Sequence, residues 1–444
     1  MRGAGCGATD AGLWALAQGP VFVAIIAAAS GCSQVPPSQV PPLALPLEVD
    51  PLALSETYWI LPIRQPGGLM PDDPQTCGGC HQEQLHDWQQ SLHARANSVG
   101  LRGQLIAASP AFVKGCLLCH APQAHQQPFR EHGMLARLRR RTALPGEQSF
   151  VEEKIAAYQG GEIVLRPNPD LAAPSTPLGI ACAACHVRGG RVHAPPSDGS
   201  PPAIVGGARA PHGAVVRSPY FESAEFCAEC HQFTMRSRAG SKPIQNTYEE
   251  WRHSPYAAAN MTCVRCHMPD RAHHWRGIHD PAMVRRALGA DVELRREGSD
   301  VVATLVLTNQ GAGHALPTYV TPRIVGHIRL LDEGGEVLGE ATLPLQREVR
   351  PGHPWQEIAD TRLLPLASRR VDARAPAAAA AWMESWVDVD PDHFYRGVYD
   401  GLLEGALQPQ ARNLIEEARK GTDASRFSLY HERTSLGAVA ALRP

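Results

Sequence analysis

The sequence predicts a mixed α+β protein, in which a mainly α-helical, loop-rich domain precedes a small β-sandwich-like domain and C-terminal helices. Five copies of Cys-x-x-Cys-His lie in the first part, and no cysteine occurs after Cys266. Further on, Val292–Leu307 and Ile324–Leu331 are short β-type stretches between glycine and proline breaks, as in a small antiparallel sandwich. From Tyr395 to Lys420 apolar residues recur at three-to-four spacing, which is typical of helices.

The N-terminus has the pattern of an export signal. Val21–Ala29 is an apolar run of nine residues, too short to span a bilayer but suited to the apolar core of a signal peptide. It leads into Ala-Ser-Gly-Cys32, which is similar to the lipobox of bacterial lipoproteins. We therefore expect residues 1–31 to be a lipoprotein-type signal peptide and Cys32 to carry a lipid anchor in the membrane. A plain secretory signal is the alternative, and both predict an exported, periplasmic or cell-envelope protein.

A proline-rich linker is predicted at residues 32–49. Ser-Gln-Val-Pro-Pro occurs twice after Cys32, and a further proline follows at Pro46. Such a segment favours an extended polyproline conformation of about 3 Å per residue. It would separate the anchor from the folded protein.

The five repeated pentapeptides are the attachment signature of c-type haem. In each, two thiols spaced by two residues bond to the two vinyl groups of one porphyrin, and the next residue supplies the proximal histidine ligand of the iron. The thiols are those of Cys77, Cys80, Cys116, Cys119, Cys182, Cys185, Cys227, Cys230, Cys263 and Cys266. The proximal histidines are His81, His120, His186, His231 and His267.

Zinc sites and redox dithiols also use Cys-x-x-Cys. Neither needs a histidine directly after the second cysteine in five places, and ten of the twelve cysteines lie in these motifs. We therefore predict five covalently bound haems, held by a domain at residues 50–288. Only 19% of residues are charged, while 40 are glycine and 39 proline, as expected of a loop-rich chain whose core is filled by porphyrins. The net charge of −2 does not favour a nucleic-acid partner.

A partial internal repeat follows the first and fourth motifs. Leu85, Trp88 and Leu92 recur at helical spacing after the first motif, and His93 lies twelve residues beyond His81. That separation carries His93 away from its own haem and towards the iron of a neighbour. Aligning Trp88 with Trp251 places Tyr256 at the position of His93, so the second copy lacks this ligand. His253 is out of step with the repeat.

Three stretches of the chain resemble a large family of exported multihaem cytochromes c, which is related to the tetrahaem cytochrome c of nitrifiers. They are Cys77–Ala96, Cys227–Asp280 and Asn309–Pro322, and the last contains Gly-His-Ala-Leu-Pro-Thr. The similarity extends over most of the chain from about residue 70. It implies electron transfer, mostly by bis-histidine haems, and no single substrate.

The resemblance also implies distal iron ligands. The histidines whose surroundings look like family positions are His93, His212, His274, His279 and His314. His125, His132, His193 and His273 are alternatives. Met268 is adjacent to the proximal His267 and cannot reach the opposite face of that haem. Bis-histidine ligation and low potentials follow if the distal histidines bind, because methionine ligation raises the potential.

The last third is predicted to contain a β-rich domain at 289–375 and a helical segment at 376–444. Glu333–Glu336 has the composition of a hairpin turn, and the alanine run Ala377–Ala381 that of a linker or helix start. The Gly-His-Ala-Leu-Pro-Thr loop leaves the β-rich domain, so His314 could bind a haem and join the two domains.

Three functions agree with these patterns. The first is an exported pentahaem electron carrier that passes electrons to or from redox partner proteins. The second is an oxidoreductase of a small nitrogen or sulfur compound at a five-coordinate haem. Pentahaem nitrite reductases have a lysine in place of one proximal histidine, whereas all five motifs here end in histidine. The third is a haem-bearing subunit that polymerises or docks in a larger conduit. The sequence sets no oligomeric state.

Overall fold

The structure is a computed structural model that describes residues 64–65, 68–69, 73–132, 164–168, 171, 178–188, 191–196, 203–205, 215–232, 238–239, 242–350 and 355–437. Residues 46–444 belong to one compact unit. The predicted signal peptide, the predicted lipid-attachment site Cys32, the predicted linker at 32–49 and the predicted distal ligand His212 lie outside the described residues.

Short helices form most of the first part of the chain. In chain order they are α1 (Pro74–Gly78), α2 (Gln82–Gln90), α3 (Val99–Leu105), α4 (Pro110–His120), α5 (Cys182–His186), α6 (Glu225–His231), α7 (Thr247–Arg252), α8 (Pro255–Ala258), α9 (Cys263–His267) and α10 (Pro281–Ala287). Side-chain hydrogen bonds and prolines determine where several of these helices begin. Ser98 accepts from the N–H of Leu101 at α3, and Ser109 from that of Phe112 at α4, where proline follows.

Small β-ribbons connect these helices. They are β1 (Arg64–Gln65), β2 (Gly68–Leu69), β3 (Phe129–His132), β4 (Val164–Pro167), β5 (Val187–Arg188), β6 (Arg191–Ala194), β7 (Ala203–Val205), β8 (Val215–Arg217), β9 (Arg238–Ala239) and β10 (Lys242–Pro243). The strands pair as β1-β2, β3-β4 and β10-β9, and as a four-stranded sheet in the order β5-β6-β8-β7.

The second part contains two longer antiparallel sheets. One has the order β11-β12-β17 and the other β14-β13-β18-β19, and a separate ribbon pairs β15 with β16. The strands are β11 (Leu288–Glu297), β12 (Asp300–Asn309), β13 (Arg323–Leu331), β14 (Val337–Leu345), β15 (Arg347–Arg350), β16 (Gln356–Asp360), β17 (Ser368–Pro376), β18 (Trp382–Asp390) and β19 (Phe427–Ser435). The turn between β13 and β14 contains the predicted Glu333–Glu336, where Gly335 has φ +88°.

Alternating side chains fill the space between these two sheets. Ile324, Ile328 and Leu330 of β13 are buried, whereas Val325, His327 and Arg329 at the alternate positions are partly exposed, as expected of a strand with one face in the core. They belong to one apolar cluster with Leu305 and Leu307 of the facing sheet. This second part is therefore a sandwich with its own core.

Two C-terminal helices connect the sandwich to the first part. They are α11 (His393–Glu404) and α12 (Pro409–Ala424), and they pack on α3. A Cβ atom on Gly100 would lie 2.0 Å from Tyr399 Oη, and one on Gly103 would lie 2.8 Å from Ile415 Cδ1. Glycines at these two positions therefore permit the close approach of α3 to both C-terminal helices.

The segment 376–444 differs from the prediction of a helical tail, because it also contributes β18 and β19 to the sandwich. The alanine run Ala377–Ala381 forms the turn between β17 and β18. Helix-type periodicity marks only α11 and α12, which are inserted between two paired strands. None of the helices among the described residues is long and apolar enough to cross a membrane.

Candidate functional site

Each Cys-x-x-Cys-His motif lies on or beside one short helical turn. The second motif ends α4, and the third and fifth are the whole of α5 and α9. In a helix, residues three apart share one face, so the two thiols of a motif project together and the histidine follows them. The cysteines are partly buried except for Cys80, which is exposed. The local fold thus presents two thiols and one imidazole in each place.

Thiols from different motifs lie side by side. Cys182 is next to Cys77, Cys230 is next to Cys119, and Cys227 is next to Cys263. The first motif is therefore next to the third, and the fourth lies between the second and the fifth. The five motifs form closely packed sites rather than isolated ones.

Backbone carbonyls orient several of the proximal histidines. Each Nδ1 atom is close to one carbonyl oxygen. The distance is 2.9 Å from His120 to Ala96, 2.9 Å from His186 to His193, and 2.7 Å from His267 to Arg276. The carbonyls can only accept, so Nδ1 carries the proton and Nε2 keeps its lone pair. Metal-binding histidines are commonly held in this way.

Three of the proximal histidines face a second imidazole. The ring centres are 6.3 Å apart for His231 and His93, and 6.3 Å for His267 and His314. For His186 and His273 the distance is 6.1 Å. The planes of His267 and His314 are nearly parallel, with an angle of 8°.

This spacing suits two ligands on opposite sides of one iron. A metal–imidazole bond of about 2.0–2.1 Å places the two nitrogens about 4 Å apart, and the ring centres, each about 1.1 Å further out, about 6.3 Å apart. The observed pairs match this value. The thiols, proximal imidazoles and facing imidazoles therefore fit c-type haem.

Burial keeps these imidazoles neutral. It lowers the pKa of His93 to about 3, with further contributions from His231 and His267. It also lowers the pKa of His231 to about 4 and that of His314 to about 4. A neutral ring has the lone pair that an iron ligand requires, so the surroundings favour the binding form.

The structure separates the histidines implied by the resemblance. His93 and His314 each face a proximal histidine, whereas His274 Nε2 lies 3.3 Å from Asp87 Oδ1, and His279 Nε2 lies 3.1 Å from Asp392 Oδ2. His273, an alternative in the sequence, occupies the position opposite His186. Adjacent histidines in one turn carry the same local pattern, so no sequence signal distinguished His273 from His274.

The two copies of the internal repeat share one tryptophan contact. The indole N–H of Trp88 donates to the carbonyl of Ile180 at 2.7 Å, and that of Trp251 donates to the carbonyl of Met261 at 2.8 Å. Each carbonyl belongs to the residue two positions before a motif cysteine, Cys182 or Cys263. The two tryptophans thus anchor the entry to the third and fifth motifs.

Trp275 contacts two of the facing histidines. Its ring centre is 4.6 Å from that of His93 and 5.1 Å from that of His273, both edge-on. It has φ +44°, a backbone conformation that bulky residues rarely adopt. The surrounding packing holds this indole between the third and fourth sites.

The surroundings of the second motif include phenols. Tyr319 and Tyr395 lie close to each other and to Cys116. Burial raises the pKa of both tyrosines. Among the described residues, no imidazole faces His120 or His81 at the spacing of the other three pairs.

Comparison with solved structures gives one informative likeness. The penta-heme cytochrome c552 from Thermochromatium tepidum aligns with a TM-score of 0.52 and 19% identity, over 81% of this chain and 98% of that chain. A DUF1425 family member from Shewanella sp. pv-4 aligns over 22% of this chain and 73% of that chain at 18% identity, with a TM-score of only 0.13. No family model and no curated protein matches the sequence. The chain therefore shares its fold with a multihaem cytochrome c.

Proposed function

We propose that this chain is a pentahaem c-type cytochrome that transfers electrons. The observation that carries the proposal is the proximity of thiols from different motifs: the first lies next to the third, the fourth lies between the second and the fifth, and Cys185 of the third is close to Cys227 and Cys230 of the fourth. The likeness to a penta-heme cytochrome at the level of the fold supports it. Bound c-type haem supplies a one-electron iron couple, and closely packed couples suit the transfer of electrons to redox partner proteins.

The residues of the chain have distinct roles in this proposal. The ten motif cysteines would hold the porphyrins, and the five motif histidines would be the proximal ligands. His93, His273 and His314, which face His231, His186 and His267, would supply the second ligands. Carbonyl acceptors fix the tautomer, and burial excludes water from the ligand rings. Export and a lipid anchor at Cys32 remain part of the proposal, because haem c is attached outside the cytoplasm.

A second function, oxidoreductase chemistry on a small nitrogen or sulfur compound, is favoured by one observation. The buried phenols of Tyr319 and Tyr395 lie near the second motif, where no described imidazole faces His120 at ligand spacing. Phenols can donate hydrogen bonds to a small bound anion. The second motif, with the two phenols beside it, would be the site of such a reaction.

Intact mass and spin state test the proposal. Protein matured in a haem-loading host should carry five haems, and its oxidised spectrum should be mainly low-spin. Carbon monoxide or nitrite should leave most of the spectrum unchanged, and a shift limited to one haem would favour the second function. An unmodified chain, or zinc in place of iron, would disprove both functions.

Replacing His273 with alanine should make one haem high-spin, because His273 lies opposite His186 at ligand spacing. Replacing His274 with alanine should leave the spin state unchanged, since its ring contacts the Asp87 carboxylate. Electron paramagnetic resonance of the two oxidised variants gives their spin states, and the comparison tests two neighbouring residues of one turn. The reverse result would assign the distal position to His274.

A further inference from the structure

A chain of charged side chains, buried at one end and exposed at the other, connects the two parts of the protein. Arg362, in the sandwich, has both its Nε and its Nη2 2.9 Å from the oxygens of Asp360. Its Nη2 also lies 2.9 Å from Glu250 Oε1, on α7. Lys242, on β10, completes the chain with a contact of 2.8 Å to Asp360. Two residues from each part of the protein thus form a row of alternating positive and negative side chains, and the row has no net charge.

Burial makes the Arg362–Glu250 contact unlike an ordinary surface ion pair. The side chains are 3% and 7% exposed. Removing one partner of such a pair leaves the other charge buried and uncompensated, which is strongly unfavourable, whereas exposed pairs contribute little. Glu250 is therefore held in one position by Arg362.

The other oxygen of Glu250 reaches the loop that contains His314. Oε2 accepts the backbone N–H of Ala315 at 3.3 Å. From the opposite side, the Asn309 side-chain amide donates to the carbonyl of His314 at 2.9 Å and to that of Leu363 at 3.1 Å. The peptide group that joins His314 to Ala315 is thus fixed by side chains at both its C=O and its N–H, one side chain from each part of the protein.

We propose that Glu250 is a positioning residue for the distal ligand of the fifth haem, holding His314 over the iron bound by His267. The inference rests on the proposed function, since it requires haem at the fifth motif. Glu250 does not touch the iron. It acts through Ala315, and Arg362 keeps its carboxylate aimed at that N–H group.

Full-length, haem-loaded Glu250→Ala tests this role. Mass spectrometry should still give five haems, while the oxidised protein should gain a high-spin fraction approaching one haem in five. The reduced protein should bind carbon monoxide at that haem. Glu250→Gln keeps an oxygen that can accept the Ala315 N–H but loses the charge opposite Arg362, so it should give a smaller high-spin fraction.

Glu249→Ala is the matched control. Glu249 is the neighbouring residue on α7 and pairs with Arg252 at 2.7 Å in an exposed contact. This variant should match the wild type in spin state and carbon monoxide binding. A folded Glu250→Ala protein that is indistinguishable from Glu249→Ala would overturn the proposal.

Two further comparisons separate the loss of a positioning residue from failure of the variant to fold and from failure of the proposed function. If Glu250→Ala does not fold, the comparison moves to Glu250→Gln and Glu249→Gln, and equal carbon monoxide binding by these two proteins also overturns the proposal. Wild-type protein with fewer than five haems, or with a high-spin fifth haem, would instead contradict the proposed function.

Discussion

A Cys227→Ala/Cys230→Ala variant should lose one haem and much of the thermal stability of the protein. The fourth motif is central, because Cys227 contacts Cys263 and Cys230 contacts Cys119. Its histidine, His231, also faces His93. Removing the group bound here leaves a cavity between three motifs, which costs several kcal/mol. At about 2–4 °C per kcal/mol for a large domain, the melting temperature should fall by about 10 °C or more.

The matched control removes the first haem instead, with Cys77→Ala/Cys80→Ala. Cys80 is exposed, and Cys77 of the first motif lies next to Cys182. Each variant should lose the mass of one haem, but the first-motif variant should keep more of its thermal stability. Equal losses would show that the fourth site is no more central than the first.

Replacing His314 with alanine should leave all five haems attached and make one of them high-spin. His314 is parallel to His267 at 6.3 Å and comes from the loop between β12 and β13. The substitution therefore removes both an iron ligand and a bond between the two parts of the protein. Magnetic resonance gives the spin state, and thermal unfolding should show a lower melting temperature.

His253→Ala is the control for this variant, since His253 is exposed and its Nδ1 lies 2.7 Å from the Glu249 carbonyl. It should keep both the low-spin spectrum and the melting temperature. A His314→Ala protein with an unchanged low-spin spectrum would refute the role of His314, whatever its stability.

The spacing of two thiols and a histidine made the candidate haem sites visible in the sequence. The five motifs coincide with short helical turns in the structure, and their role in binding haem stays a prediction. The separation of His93 from His81 suggested that His93 lies near another motif, and in the structure it lies opposite His231. The strand at Arg323–Leu331 and the helices α11 and α12 followed from periodicity.

Long-range geometry was not predictable in the same way. His273 and His274 are adjacent, and only tertiary packing places one opposite His186 and the other against Asp87. β18 pairs with both β13 and β19, yet two helices separate β18 from β19 in sequence, so local patterns assigned the whole region to helices. The Glu250–Arg362 contact joins residues more than 100 positions apart, for which a single sequence carries no signal.

The insertion of α11 and α12 between β18 and β19 has a consequence for biosynthesis. The helices meet α3 about 300 residues upstream, and β19 is the final described strand, so the sheet is completed only when the end of the chain has been translated. Until then, β18 is an open edge with alternating apolar residues, a template for pairing between nascent chains. A translation product that stops before Phe427 would therefore retain every haem-attachment motif and be prone to self-association.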